Sequence, residues 1–510
     1  MSGALAEKLL RTGSIHVRIL FAYSLDDAQS LWAPLASYED IQMGVSYISA
    51  MLKVQKHETN VMVLSPSMEK GAYRVVDKAM SDFDPEVIAF TAVFSQFAFM
   101  SRIAKYIRSR WPGKFLIIGG PHATLNAEEV INCGFDAVCV GEGELPTTEL
   151  VNQLAQGKKP RGIANMWIRL EDGTIEKNPT RSFLQDLDTL PFPDRDMWTP
   201  WIREKAGARV SVFLGRGCPF QCTYCSNHAL AKLADGKYVR FRSPANIISE
   251  LRSIHEKYPD KDYIYLEVET IALDKKWLMA LCTSLREFNA SLTTPIAFSC
   301  NYRIAPQSMD EEIFVALEKA NVISINIGLE AGSPRVRKEV LSRNYTNEDF
   351  YKVVEMARSH GMKINVFNLI GIPGETLEEH LETVEVNRRI QPDWIFKSIF
   401  FPYPGTRLAE VCKAKGLVTG VLDGGLERRK AILDLPGFSR RQIQQAYTWF
   451  EYRIYKGHRP PHKLLIKTLR NKVKSSAFAN SLYLKVAQLP FFDKLRARGE
   501  QSINAFTKKA

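Results

Sequence analysis

Three cysteines carry the strongest chemical signal in this chain. Cys218, Cys222 and Cys225 form a C-x3-C-x2-C pattern within Leu-Gly-Arg-Gly-Cys-Pro-Phe-Gln-Cys-Thr-Tyr-Cys, directly after the apolar run 210–214. Thiolates hold iron–sulfur clusters, and a cubane of four irons ordinarily takes four of them. Three on one short loop would fill three corners and leave one iron open to a small molecule. That favours catalysis over simple electron carriage. A zinc site is the first alternative, but structural zinc wants four donors, usually in two pairs, and no second pair follows. Buried structural thiols are the second, and a glycine-rich turn is an unusual place to pack three. Gly215 and Gly217 let the backbone turn tightly and keep side chains clear of the sulfides.

Such a loop needs a scaffold that presents it at the end of a strand. Six apolar segments, 210–214, 263–268, 296–301, 324–330, 363–370 and 394–400, recur with helical periodicity between them. Six βα repeats predict a partial (βα)6 barrel over 205–425, with its site at the strand C-termini. Glu267 and Glu269 lie two apart and so share one strand face. Ahead of the barrel, 10–155 alternates short apolar strands with amphipathic helices. That pattern predicts a Rossmann-like, doubly wound parallel sheet. Ligands of such sheets sit beyond the strand C-termini, here the loops 91–96 (Thr91, Ser95), 119–124 (Gly119, Gly120, His122) and 141–144 (Gly141). A proline-rich connector spans 156–204, and 426–510 reads as a mainly helical, basic C-terminal domain. The fold class is therefore α/β.

Tyr224, just before the last cysteine, completes a pattern that resembles the signature of the radical S-adenosylmethionine (SAM) enzymes. Gly-Gly-Pro-His-Ala-Thr (119–124), then Gly-Phe-Asp-Ala-Val-Cys-Val-Gly-Glu-Gly-Glu (134–144), looks like the cobalamin-binding domain found ahead of many radical SAM cores. Up to about residue 425 the chain thus resembles the cobalamin-binding-domain radical SAM family. That family includes hopanoid, bacteriochlorophyll-pathway and natural-product methylases and the anaerobic magnesium-protoporphyrin ester cyclase. The resemblance implies a 4Fe-4S cluster on the three cysteines, whose open iron chelates the amino and carboxylate groups of SAM. It implies Glu330, in Gly-Leu-Glu-Ala-Gly-Ser, beside SAM, with a surface carboxylate as the alternative. Arg343 would lie near the SAM carboxylate, with a solvated charge as its alternative. Asn368 and Gly371 would lie near the adenine, Glu269 beside SAM or substrate, and Tyr403 would face substrate. Thr91, Ser95, Gly119, Gly120, His122 and Gly141 would line the corrinoid, although His122 can equally hydrogen-bond backbone. There is no D-x-H-x-x-G motif; the first strand leads into Ser-Leu-Asp-Asp-Ala, so cobalamin would bind without a histidine beneath the cobalt.

The activity implied is methylation of an unactivated carbon. One SAM methylates cob(I)alamin to methylcobalamin, and a second yields the 5′-deoxyadenosyl radical. That radical takes a hydrogen from substrate, and the carbon radical collects the methyl group. Cobalt and cluster are expected to face one substrate. The alternatives are a cyclase or oxidoreductase that uses cobalamin without methyl transfer, and a non-catalytic corrinoid or iron–sulfur carrier.

Composition fits an ordinary globular protein, with 45% hydrophobic and 24% charged residues over 510. The five other cysteines, Cys133, Cys139, Cys282, Cys300 and Cys412, stand singly and read as buried thiols, consistent with a reducing cytoplasm. No apolar run suggests a secretory leader or a membrane span. The net charge of +12 is concentrated at the end: from Lys456 there are thirteen Lys/Arg against Asp493 and Glu500. The near-neutral body argues against a nucleic-acid substrate. Basic residues interleaved with leucines and aromatics suit a helix on the inner membrane surface, or a solvated helix face. The expected partners are a small-molecule substrate, apolar or lipid-like if the membrane reading holds, and a reductant such as flavodoxin or ferredoxin.

Overall fold

The computed structural model describes residues 16–28, 30–203, 209–418, 422 and 424–487. They form two compact units, one from residues up to 206 with 229–237 and the chain from 484 on, the other from 207–228 with 238–483. The first is built on a seven-stranded sheet ordered β2-β1-β3-β4-β5-β6-β7. Its strands are β1 (Arg18–Ser24), β2 (Glu58–Leu64), β3 (Val87–Thr91), β4 (Phe115–Gly119), β5 (Ala137–Cys139), β6 (Met166–Arg169) and β7 (Ile175–Lys177). The first five pair in parallel. Helices Met43–Val54, Lys70–Phe83, Phe94–Arg110 and Glu144–Ala155 accompany them. The central strands Val-Ile-Ala-Phe-Thr and Phe-Leu-Ile-Ile-Gly are almost continuously apolar and buried. Sheets covered on both faces require that composition. Antiparallel β6 and β7 extend the sheet into 156–204, the stretch expected as connector. At four and three residues, these strands are too short for periodicity to show.

The second unit begins with β8 (Val210–Phe213), then β9 (Gly215–Arg216) and β10 (Arg240–Phe241), which form a two-stranded antiparallel ribbon. The strands β11 (Tyr263–Glu267), β12 (Ala297–Tyr302), β13 (Val322–Glu330), β14 (Lys363–Ile370) and β15 (Trp394–Ile399) join β8 in a parallel sheet ordered β15-β14-β13-β12-β11-β8. Neighbours in sequence are neighbours in space, as the six βα repeats predict, and the two edge strands do not pair with each other. Each crossover helix starts at a side-chain cap. Ser243, Asp274, Asp310, Thr346 and Thr376 accept hydrogen bonds from backbone N–H groups two or three residues on. Such caps satisfy otherwise orphaned donors and fix where each helix starts, and so where each strand-end loop stops.

Inside the sheet, Asn326 donates from Nδ2 to Asn301 Oδ1 at 3.2 Å, and Asn365 from Nδ2 to Asn326 Oδ1 at 2.9 Å. These three residues are register partners on β12, β13 and β14. The helix Arg440–Tyr455 covers the far edge, packing Ile443, Phe450 and Ile454 into one core with Ile395 and Ile399. Lys397 reinforces this contact: its Nζ donates to Tyr447 O at 2.7 Å and pairs with the Glu451 carboxylate at 2.9 Å. Helices Pro461–Lys474 and Ala477–Ala487 follow. Among the described residues, no helix is long and apolar enough to cross a membrane.

Candidate active site

The cysteine loop leaves the sheet at the C-terminal end of β8, and the β9–β10 ribbon holds its base. Gly217 has φ +88°, and a Cβ there would lie 2.1 Å from Tyr238 O. At Gly215 a Cβ would meet Arg240 O at 2.5 Å. The two glycines are therefore required by the ribbon's own backbone, a more specific reason than room for sulfides. Thr223 ties down the middle of the loop: its N–H donates to Leu341 O at 3.3 Å and its Oγ1 to Val340 O at 2.6 Å. Its own carbonyl accepts from Leu408 N at 2.9 Å.

Around the sulfurs stand donors that suit thiolates. Arg303, one residue past β12, donates from Nη1 to Cys222 Sγ at 3.0 Å, and its guanidinium lies 3.8 Å from the centroid of the Phe220 ring. Asn227 donates from its backbone N and from Nδ2 to Cys225 Sγ, each at 3.5 Å, and accepts from Tyr238 Oη at 2.6 Å. Burial pushes the Cys218 thiol up to about 11, with Phe220's backbone and Arg303 opposing and the Glu269 charge adding to the rise. Glu269 is exposed and acts in the same direction on Cys225 and Tyr238, which places it beside the loop. No trio of His, Cys, Asp or Glu among the described residues converges as a single metal ion requires. A mononuclear zinc site is thereby disfavoured, whereas a cubane takes each thiolate on a different iron. The donor set fits a cluster.

A second set of expected residues comes together at the end of β13. Arg343 donates from Nη1 to Tyr224 Oη at 3.0 Å, lies 3.6 Å from the Glu330 carboxylate, and donates from Nη2 to Gly328 O. Tyr345 donates its hydroxyl to Gly328 O at 2.9 Å. Glu330 is buried with φ +64°, a left-handed conformation rare for a side-chain-bearing residue and most often found at functional sites. Burial raises its carboxyl above the usual range, against the pull of Arg343. Arg343 is not a solvated charge. The buried Arg303 Nε and Arg343 Nε lack an acceptor, which suits a ligand bearing a carboxylate.

Two expected residues face elsewhere. Asn368 is buried against the helix Leu377–Ile390, where its Oδ1 accepts from Asn387 Nδ2 at 2.8 Å. The strand's period of two turns it away from the face of Asn365 and Phe367. Gly371 has φ +76°, and a Cβ there would meet Ile443 at 2.8 Å, so helix packing already demands a glycine. The Tyr403 hydroxyl accepts from Arg428 Nε at 2.8 Å.

The turn after β14 rests on a carboxyl that sequence reasoning passed over. Glu375 is fully buried; its Oε2 accepts from Gly371 N at 2.8 Å and Ile372 N at 3.0 Å, while Oε1 has no partner. Burial pushes its pKa up to about 8, with those backbone donors opposing. Between the ordinary 4.5 and about 8 the folded chain keeps a proton that the unfolded chain has lost. Stability must therefore fall as pH rises through that window, by at most about 1.4 kcal/mol per pH unit. In Glu375→Gln the cost of burying the amide is independent of pH, so the stability difference from wild type should shrink or invert steadily from pH 5 to 8 in denaturant titrations. A constant difference would contradict the assignment.

In the first unit the loops after β3, β4 and β5 meet through their own contacts. Gly120, φ +96°, sits where a Cβ would approach Thr91 Oγ1 at 2.8 Å and Ala92 O at 3.0 Å. Gly141, φ +91°, donates its N–H to Thr124 Oγ1 at 3.1 Å. Gly119 is under no such constraint, its nearest contact being Cys139 Cβ at 3.5 Å. His122 is buried between the Phe94 and Phe97 rings, at 5.6 and 4.4 Å between centroids, and burial lowers its pKa to about 4. Its Nε2, like Ser95 Oγ, is buried without a partner. These orphaned atoms and the glycine-lined strand ends fit a large polar-edged ligand.

Sequence reasoning did not single out Arg303, Phe220, Asn227, Tyr238, Tyr345 or Glu375. Only Arg303 left a signal, as a lone arginine directly after an apolar strand.

The profile of the radical SAM superfamily matches residues 212–386, and that of the B12 binding domain matches 36–151. An uncharacterized methyltransferase of Pyrococcus horikoshii is 29% identical over 79% of this chain and 85% of its own length. The anaerobic magnesium-protoporphyrin IX monomethyl ester cyclase of Rubrivivax gelatinosus is 23% identical over 71% of this chain and 64% of its own. The radical SAM methyltransferase TsrM of Kitasatospora setae, solved with cobalamin and a [4Fe-4S] cluster, shares the fold: TM-score 0.60 at 17% identity, over 79% of this chain and 76% of that one. With a B12 binding domain ahead of a radical SAM barrel, the chain belongs to the cobalamin-binding-domain radical SAM enzymes.

Proposed function

We propose that this enzyme methylates an unactivated carbon of a small molecule. When bound, a 4Fe-4S cluster supplies the electron that cleaves SAM, and cobalamin supplies a carrier for the methyl group. Cys218, Cys222 and Cys225 would hold the cluster, with the Arg303 guanidinium offsetting thiolate charge and Asn227 hydrogen-bonding to Cys225. Arg343 would meet the SAM carboxylate, and Glu330 its ammonium or ribose hydroxyls. Thr91, Ser95, Gly120, His122 and Gly141 would line the corrinoid. The observation that carries the reading is the thiol triplet backed by Arg303, in the same unit as the Tyr224–Arg343–Glu330 network.

The apolar, lipid-like substrate and the flavodoxin or ferredoxin reductant belong to this proposal as well. The likeness to an ester cyclase supports a second reading, radical ring closure or oxidation without methyl transfer. Anaerobic protein reconstituted with iron, sulfide and cobalamin, given SAM, dithionite and a small-molecule extract as the source of substrate, should release 5′-deoxyadenosine and a product heavier by one CH2 than its substrate. 5′-Deoxyadenosine with no CH2 gain would favour the second reading; none at all from iron- and cobalt-loaded protein would sink both and leave a carrier.

A further inference from the structure

The C-terminal helices carry a surface that the chemistry above does not use. On the helix Pro461–Lys474, Leu465, Ile466 and Leu469 are 48, 66 and 63% exposed, while Leu464 and Thr468 pack inward. At 100° per residue the exposed apolar side chains form one stripe, which Val473 continues. Lys472 borders it on one side and Lys463, Arg470 and Lys474 on the other. After Ser475 and Ser476 the helix Ala477–Ala487 repeats the pattern: Phe478 and Leu482, four apart, are 81 and 55% exposed, with Asn480 and Leu484 inward. Between Lys456 and Ala487 there are eight Lys/Arg and no Asp or Glu. Beside the stripe, a groove of about 1020 Å³ runs between the helices Pro461–Lys474 and Arg440–Tyr455, lined by Trp449, Leu465 and Leu469 together with Arg440, Arg441 and Lys472, with Asp434 the one acid in its lining.

Soluble proteins rarely leave large apolar side chains together at such exposure without a partner. Here the ring of cations selects its sign. We infer that these two helices dock on an anionic bilayer, with the leucine–isoleucine stripe at the acyl boundary and lysines and arginines on headgroup phosphates. A stripe flanked by cations is the arrangement of a helix lying in the interface plane, where each cation near the surface adds attraction to anionic headgroups. A nucleic acid would use the cations but not the bare leucines. A second copy of this chain would face +12 with +12.

The test is co-sedimentation of the full-length protein with vesicles of phosphatidylcholine, alone or with about a quarter phosphatidylglycerol. Affinity should be at least about tenfold higher for the anionic vesicles and should fall with added salt. Ile466→Ser with Leu469→Ser should lose the binding while unfolding like wild type and forming 5′-deoxyadenosine at an unchanged rate. Arg470→Glu with Lys472→Glu should lose it with the apolar stripe intact. Equal binding to both vesicle types, full binding by either double variant, or a stripe-dependent dimer in light scattering without vesicle binding would each overturn the inference. None of these readouts depends on cluster or cobalamin, so failure here is separable from failure of the proposed reaction.

Discussion

Cys218→Ala is expected to abolish SAM cleavage, cutting 5′-deoxyadenosine formation by about three orders of magnitude or more, the scale on which losing one member of a cooperating unit silences the whole. A cubane held by three protein thiolates has no spare ligand. The loop cannot substitute another, because Cys222 and Cys225 are fixed by Arg303 and Asn227, and the chain between them is pinned by Thr223. Iron should fall well below four atoms per chain, and the visible charge-transfer absorption should vanish. Secondary structure by circular dichroism should not change, since Cys218 is only partly buried and lies outside the strands. Substantial 5′-deoxyadenosine from this variant would remove the basis of the assignment.

Gly217→Ala should be nearly as damaging with all three cysteines in place. The added methyl carbon would sit 2.1 Å from Tyr238 O and 2.7 Å from Tyr238 C, backbone atoms that a side chain's flexibility cannot relieve. The left-handed φ of +88° adds roughly 1–2 kcal/mol of strain. Either the β9–β10 ribbon opens or the loop leaves it, and the cysteines lose their common base. Reconstituted iron should drop by at least about half, and 5′-deoxyadenosine with it. Gly374→Ala is the control. Its φ of +86° carries similar strain, but a Cβ there meets nothing within 4 Å, so it should load iron normally. Equal iron in the two variants would mean that strain alone, or nothing at all, limits loading at Gly217.

What could be read from the sequence divides along physical lines. The six parallel strands of the second unit were legible because each is an apolar run bounded by a capped helix, and position along the chain became position in the sheet. The cysteine motif was legible because its spacing is local. Tyr224, Glu330 and Arg343 were expected from resemblance, and the structure joins them in one network. Asn368 was expected near the adenine from resemblance alone; its side chain is buried against Asn387, on the face of β14 opposite to Asn365 and Phe367. Arg303 reaches Cys222 from the end of β12, and Tyr238 reaches Asn227 beside Cys225 from just ahead of the ribbon's second strand; neither periodicity nor motif encodes that convergence. Strands β6 and β7 were hidden by brevity.

The column of three asparagines across β12, β13 and β14 has a bearing on how such a site can change over time. Amide-to-amide rungs cannot slide as an apolar seam can, since a slip of one residue would send every side chain to the opposite face. The column therefore calibrates height: Arg303, Gly328 and Phe367 each stand two residues above a rung, whatever loop follows. Loops at the strand ends can then be lengthened or exchanged for new substrates, while the altitude of the reacting groups stays set from below.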